Sequence, residues 1–307
     1  MAPAYHEPMD TLERLRGTTG LWTMTLETQD VARFTTLVAQ LDQAGCSALW
    51  LPEAWGREAL TQAALALAAS SQMVVATGIA SIWARDAVTT RNGARTLAAS
   101  SAGRFVLGLG VSHAPLVERL RGHHYDRPVA AMAEYLAAMD AAPMHAPEES
   151  ARPPRLLAAL GPTMLDLAAR AADGAHTYLV TPEHTAQARA ILGDAFLAVE
   201  QAVVLGDVTR DEVRERARAH LEFYTGLPNY RASWARQGFT EEDWVRGGST
   251  RLQDAMVVAG DLDAIGARIA EHRAAGADHV CLQVLGPVPG EPPVAAWRAL
   301  AAAGLLN

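Results

Sequence analysis

The chain has 307 residues, half of them apolar, and a net charge of −8. That is enough apolar material for one barrel-sized core, and the acidic balance argues against nucleic acid or an anionic membrane surface as the main partner. All 26 basic residues are arginine, so a Schiff-base lysine and a P-loop lysine are both absent, which excludes class I aldolase chemistry and Walker-type nucleotide hydrolysis.

In chain order, residues 1–16 read as a loose, polar and acidic arm with no signal-peptide pattern, followed by a first strand over 19–25. Thr28 is placed to cap a helix whose apolar positions Val31, Phe34, Val38 and Leu41 keep helical spacing. Gly45 suits its C-terminal stop, and SALWL (47–51) is the second strand. A helix over about 60–70 precedes the stretch 73–115, which reads strand, helix, strand: MVVATGIASIW, RDAVTTRNGARTLAASS, AGRFVLGLGVSHAP. Its two apolar runs end in small residues, Gly78, Ala80 and Ser81 in one and Gly108, Gly110 and Ser112 in the other. Parallel strands joined by a crossover helix deliver their C-terminal ends to one edge, where α/β folds bind ligands. Small residues there are read as the floor of a site for a flat cofactor, because no Cβ stands in the way.

Past Pro115, VERLRGHHYDRP reads as loop, a helix follows Pro128, and a Pro-rich connection over 141–154 leads to a fifth strand at 155–160. GPTMLDLAARAADG is helix and stop, AHTYLV the sixth strand, HTAQARAILG a helix and FLAVEQAVVLG the seventh strand. A charged helix over 208–224, a helix over 261–275, an eighth strand at 279–286 and a last helix, VAAWRALAAAG, complete the pattern. Two excursions, 115–155 and 226–250, suit the functional face of a barrel. In the second, Tyr230, Arg231 and Trp234 line a pocket or belong to a plain surface helix. A joint recurs in AGCSALWL, AGRFVLGL, DGAHTYLV and AGADHVCL, where Gly45, Gly103, Gly174 and Gly276 each suit a left-handed stop before a strand. About eight β/α units in one domain, 1–307, give an α/β fold of the TIM (β/α)8 class with insertions at the C-terminal face of the strands. An open doubly wound sheet is the runner-up.

GLGVSH (108–113) invites a dinucleotide reading, but His113 occupies the third glycine position. No HExxH, Cys/His cluster or GxSxG elbow occurs, adjacent His123 and His124 diverge on regular structure, and no metal is expected. Cys46 and Cys281 read as two buried free thiols of a cytoplasmic protein, with a disulfide as the alternative. No apolar run approaches the roughly 20 residues of a membrane span. What remains is a set of residues at strand C-termini: Trp22, Glu53, Trp55, Trp83, Arg85, Ser112 and His113, with His176 and Tyr178 in the sixth strand. The bland alternatives are that Trp22 and Trp55 cover the barrel mouth, Arg85 pairs with Asp86 or caps a helix, and His176 is a structural hydrogen-bonder.

LWLPEAWGRE (49–58), ATGIASIWARDAV (76–88) and RFVLGLGVSHAP (104–115), with GPTMLDLAARAADGAHTYLV (161–180) and GADHVCLQVLG (276–286), resemble the bacterial luciferase-like superfamily, most closely its branch using the deazaflavin coenzyme F420. The resemblance implies a TIM barrel with the deazaflavin ring at its mouth, backed by a strand-three bulge containing a non-prolyl cis peptide at Gly78–Ile79. It places ring contacts at Glu53, Gly78, Ile79, Ala80, Ser81, Val111 and Ser112, and the phosphate-bearing tail near Leu160, Gly161, Thr163 and Met164, where helix-start N–H groups favour an anion. It also implies a homodimer. The chain departs from the sugar-phosphate dehydrogenases of that family. Glu53-Ala54 stands for their Asp-His pair, His113 for their glutamate after strand four, and Thr181 for their phosphate-binding lysine. A sugar-phosphate substrate is therefore not expected. The resulting expectation is hydride transfer between C5 of coenzyme F420 and a small organic substrate, with His113 and Glu53 as catalytic residues. Trp22, Trp55, Trp83, His176 and Tyr178 form the substrate pocket, and His113 is the proton donor or acceptor. An FMN-dependent monooxygenase and a non-catalytic coenzyme F420 carrier or sensor are the alternatives.

Overall fold

A computed structural model describes residues 11–143 and 152–307. Most of the expected arm, and the middle of the Pro-rich connection, lie outside the described residues. The strands are β1 (Thr18–Trp22), β2 (Ala48–Leu51), β3 (Val74–Thr77), β4 (Ala80–Ser81), β5 (Phe105–Gly110), β6 (Arg155–Ala158), β7 (Gly174–Thr177), β8 (Phe196–Leu205), β9 (Val257–Gly260) and β10 (His279–Val284). They run β10-β1-β2-β3-β5-β6-β7-β8, and β10 also pairs with β8. The sheet therefore closes on itself, and every pairing is parallel. This is the TIM-barrel architecture expected from the repeated units. One strand escaped the pattern. The ten-residue β8 pairs by its first four residues with β7 and by its last four with β9, which follows the unforeseen helix Thr250–Met256.

Alternation along the strands separates two cores. Trp50, Val74, Ala76, Val106, Leu156, Phe196, Ala198 and Cys281 pack inside the barrel, while a larger cluster joins its outer face to the helices. The end of the presumed arm is ordered: helix Thr11–Leu15 buries Leu12 and Leu15 against the inward cluster, and the Arg16 guanidinium lies 5.5 Å from the Phe196 ring centroid. The first crossover helix, Val31–Gln43, is capped by Asp30, whose carboxylate accepts from the Arg33 N–H at 2.8 Å, rather than by Thr28. Val31 becomes the first helical residue and faces solvent, whereas Phe34, Val38 and Leu41 are buried. Gly45, Gly103 and Gly276 take the left-handed φ expected of them. Gly174 instead begins β7 with φ 155°, where a Cβ would lie 1.9 Å from the Phe196 carbonyl oxygen.

Candidate active site

Between β3 and β4 the chain carries one residue more than its neighbour. Ala76 pairs with Val106 and Ala80 with Leu109, a step of four residues against three. That is a β-bulge, and the extra residue reverses which side chains face inward. Ala80 therefore packs outward with Leu109, and Ser81, opposite Gly110, is turned into the barrel mouth. The Gly78–Ile79 peptide within the bulge is cis, as the resemblance implied.

The bulge is held from several sides. The Trp22 indole Nε1 donates to the Gly78 carbonyl at 2.9 Å. Glu53 N–H donates to the Ile79 carbonyl at 3.1 Å, and Ser81 N–H donates to Glu53 Oε2 at 2.8 Å. The other carboxylate oxygen of Glu53 takes the Arg85 guanidinium, which also reaches Glu58 at 2.7 Å. Arg85 is thus bound to Glu53 and Glu58, and Asp86 caps helix Ala87–Ser100. With its side chain almost wholly buried and both oxygens engaged, Glu53 is a tie between two loops rather than a free acid.

The small residues of β5 have a different use from the one expected. A Cβ on Gly110 would lie 2.5 Å from Ile79 Cδ1, and one on Gly108 would lie 1.9 Å from the Thr77 carbonyl oxygen. These glycines admit the bulge and the Ile79 side chain. The half-buried Ile79, with Val111 and Ser112, is left as the floor of the mouth. Ser112 has φ 56°, which swings the chain at the end of β5. Trp83 fastens that end by donating Nε1–H to the Val111 carbonyl at 2.9 Å, and its ring lies beside His123 and Tyr125.

Residues 220–230, from the end of helix Arg210–Leu221 into the second excursion, supply the opposite wall. His220, Phe223, Tyr224 and Tyr230 converge with Tyr178 and His113 above the barrel. The His113 ring is 5.7 Å from Tyr230 and 5.9 Å from Phe223, and Tyr178 is 5.2 Å from Trp22 and 5.4 Å from Tyr224. Tyr230 is buried, Trp234 is fully buried and donates Nε1–H to the Leu179 carbonyl at 3.1 Å, and Arg231 is exposed. Helix Pro228–Arg236 is therefore a pocket wall and not a surface helix. Three predicted pocket residues lie elsewhere. Trp22, only 3% exposed, sits beneath the bulge. Trp55 is 66% exposed. His176 is inside the barrel, stacked 4.7 Å from Trp50, which in turn donates Nε1–H to His279 Nε2 at 3.1 Å.

Helix Pro162–Ala171 begins at Gly161 with no side-chain cap, leaving first-turn N–H groups for an anion. Arg236 stands over it, donating to the Leu160 carbonyl at 3.0 Å and lying 3.4 Å from the place a Gly161 Cβ would take. Thr163 is exposed, while the Met164 side chain is buried, so only its backbone can meet a ligand.

Burial controls the ionisation of this mouth. It pushes His113 and His220 down to about 4 and Tyr224 up to about 12. His113 is thus neutral at physiological pH, which removes the proton-donor half of its expected role. Its Nδ1 has no hydrogen-bond partner among the described residues. Sequence reasoning missed Glu200, inward on β8 and pushed up to about 8 by burial, although a lone carboxylate within FLAVEQAVVL was a visible signal. Both cysteines are free and buried. Among the described residues no acidic, Cys or His cluster is arranged to hold a metal, and no helix is long and apolar enough to cross a membrane.

A closed parallel barrel with a cis-peptide bulge and an aromatic wall at its C-terminal mouth puts this cluster at the face where α/β barrels carry their active sites. The model of the luciferase-like monooxygenase family matches residues 16–279, and the chain belongs to that family. A Mycobacterium tuberculosis protein assigned as a coenzyme F420-dependent oxidoreductase is 34% identical over 100 residues, which span 33% of this chain and 29% of that protein. The coenzyme F420-dependent tetrahydromethanopterin reductase of Methanopyrus kandleri superposes with a TM-score of 0.70 at 16% identity, covering 92% of this chain and 97% of that one. The FMN-bound oxygenating constituent of 3,6-diketocamphane monooxygenase from Pseudomonas putida superposes with a TM-score of 0.68 at 14% identity, covering 94% and 96%. At these identities the superpositions establish the fold.

Proposed function

We propose that this protein is a coenzyme F420-dependent oxidoreductase that passes a hydride between the deazaflavin C5 and a small organic substrate other than a sugar phosphate. The observation that carries the choice of coenzyme is the mycobacterial likeness over 100 residues. The residues present fit the group. Ile79, Val111 and Ser112 offer a half-buried floor, and the uncapped helix start beside Arg236 suits an anionic tail.

When bound, the deazaflavin supplies a hydride donor or acceptor. Trp22 and Glu53 hold residues 78–81 from below, so the floor is preorganised. Thr163 and Met164 N–H groups with Arg236 anchor the tail. His113, Trp83 and Tyr178 stand around the substrate, and the aromatic wall of residues 220–230 excludes water. Neutral His113 orients the substrate by hydrogen bonding through Nδ1. The homodimer expected from the resemblance belongs to the same reading, and light scattering tests it.

Titration of apo-protein with coenzyme F420 and with FMN tests the assignment. Tighter binding of coenzyme F420 is expected; tighter FMN binding with oxygen uptake overturns it in favour of a monooxygenase. That second reading is kept because a superposable barrel carries FMN.

A further inference from the structure

Arg155 opens β6, at the end of the barrel opposite the mouth. Its neighbour Leu156 packs inside the barrel, so alternation turns the Arg155 side chain outward, under the covering helices. It pairs in register with Leu107 of β5, which belongs to the outer core. There the Arg155 guanidinium lines a cavity of about 90 Å³ together with Arg152, Arg91 and Arg95 of helix Ala87–Ser100, and Asp140 of helix Pro128–Ala141. Four guanidinium groups and one carboxylate thus border a small space.

The hydrogen bonds leave donors over. Asp140 accepts from Arg155 Nη1 at 2.9 Å and from Nη2 at 3.3 Å, and the Ala171 carbonyl accepts from Nη2 at 2.7 Å. Asp173 accepts from Arg152 Nη2 at 2.7 Å and from the Arg155 N–H at 2.6 Å. Both acids are therefore engaged. The Arg155 side chain is only 7% exposed, and its Nε is buried with no hydrogen-bond partner among the described residues. Arg91 Nη1 is in the same condition, and no carboxylate pairs with Arg91 among the described residues. Two buried N–H donors of permanently charged groups therefore line one cavity in which arginines outnumber carboxylates. Leaving such donors unmet is costly, and an oxyanion meets both the charge and the hydrogen bonds.

We propose that this cavity is a second anion site, separate from the barrel mouth, and that it takes a phosphoryl-type oxyanion. It is independent of the function proposed above. The volume suits a group of a few heavy atoms and falls well below the roughly 300 Å³ or more of a drug-sized ligand. The planar guanidinium groups of Arg91 and Arg155 match the oxygens of phosphate, a fit that a chloride ion does not offer. An anion here ties helix Ala87–Ser100 to the start of β6, so its binding stabilises the folded chain by linkage.

Calorimetric titration of the apo-protein with inorganic phosphate at constant ionic strength tests this. Binding is expected, with sulfate competing and chloride not, and the unfolding temperature should rise with phosphate. Arg91→Gln should weaken binding at least about tenfold, the scale of one charge-assisted hydrogen bond, and should not lower the unfolding temperature in phosphate-free buffer. Asp140→Asn keeps an acceptor for Arg155 but removes a repelling charge, and should tighten binding. Arg236→Ala should leave phosphate affinity unchanged, which separates this cavity from the uncapped helix start at the mouth. Glycerol 3-phosphate distinguishes the sources: tighter binding of the ester assigns the site to a phosphorylated molecule and tighter binding of phosphate to the free ion, and either upholds it. No phosphate binding by the wild type, or binding lost in Arg236→Ala and kept in Arg91→Gln, overturns the proposal. Phosphate binding seen only when Glu148 and Glu149, which lie outside the described residues, are both changed to glutamine overturns it too, in favour of an occupant from the chain itself.

Discussion

Trp22 and Gly78 meet so closely that neither tolerates a larger partner. The indole Nε1–H donates to the Gly78 carbonyl at 2.9 Å, and a Cβ at position 78 would lie 2.7 Å from that same nitrogen. Gly78→Ala must push the indole away and is expected to cost about 1–3 kcal/mol, the usual scale of overpacking. Trp22→Phe leaves a buried carbonyl unpaired and should cost about 1–3 kcal/mol. Denaturant unfolding measures both, and coenzyme titration should show weaker binding in each. Wild-type affinity in Gly78→Ala would mean that the bulge is no part of the floor.

Arg85 and Glu53 form a buried pair that joins the loops after β2 and β4. Removing one member strands a buried charge, so Arg85→Ala should destabilise by about 3 kcal/mol. Glu53→Gln keeps an acceptor for the Ser81 N–H and should cost less. A double-mutant cycle checks the coupling.

Stability should fall steeply on the acid side. Burial depresses His113, His176 and His220 to about 4, and His272 and His279 to about 3. Each ordinarily titrates near 6.5, so below that pH the unfolded chain takes protons that the folded chain refuses. The histidine contribution is complete above about pH 6.5 and is lost as pH falls toward 4, at about 1.4 kcal/mol per pH unit for each histidine in its window. Urea unfolding at pH 7, 6 and 5 measures this. An unchanged midpoint over that range would contradict the buried neutral histidines.

On the other side Glu200 reverses the sign. Its folded value is raised to about 8 from an ordinary 4.5, so its contribution is complete below pH 4.5 and is lost as pH rises through about 8. Glu200→Gln lacks that loss and should unfold at a higher temperature than wild type at pH 9, with little difference at pH 5. Calorimetry at the two pH values reads the difference directly.

Arg236 is exposed and shares the Leu160 carbonyl with His184. Arg236→Ala should leave stability within about 0.5 kcal/mol while weakening coenzyme F420 binding and flattening its salt dependence. Coenzyme titration at low and high salt distinguishes this from a structural loss.

The barrel was legible because it is built from local signals. Apolar runs of strand length, helical spacing in Phe34, Val38 and Leu41, and glycine stops at Gly45, Gly103 and Gly276 each depend on residues close in the chain. The small residues around Gly78 were legible for the same reason, whereas the bulge there was implied only by the resemblance to the family. What those residues are for was not legible. Gly108 and Gly110 make room for Thr77 and Ile79 across the sheet, and Glu53 is spent on Ser81 and Arg85, facts that register and loop packing decide. A one-residue bulge reversed the facing of Ala80 and Ser81, and the return of residues 220–234 over the mouth set Tyr224 and Tyr230 against Tyr178. Glu200 carries the clearest lesson: the chain alone places one carboxylate among apolar residues of a strand. Only closure of the barrel buries it with the Leu179 N–H as its hydrogen-bond partner among the described residues, because dielectric and partners are properties of what surrounds a group in space.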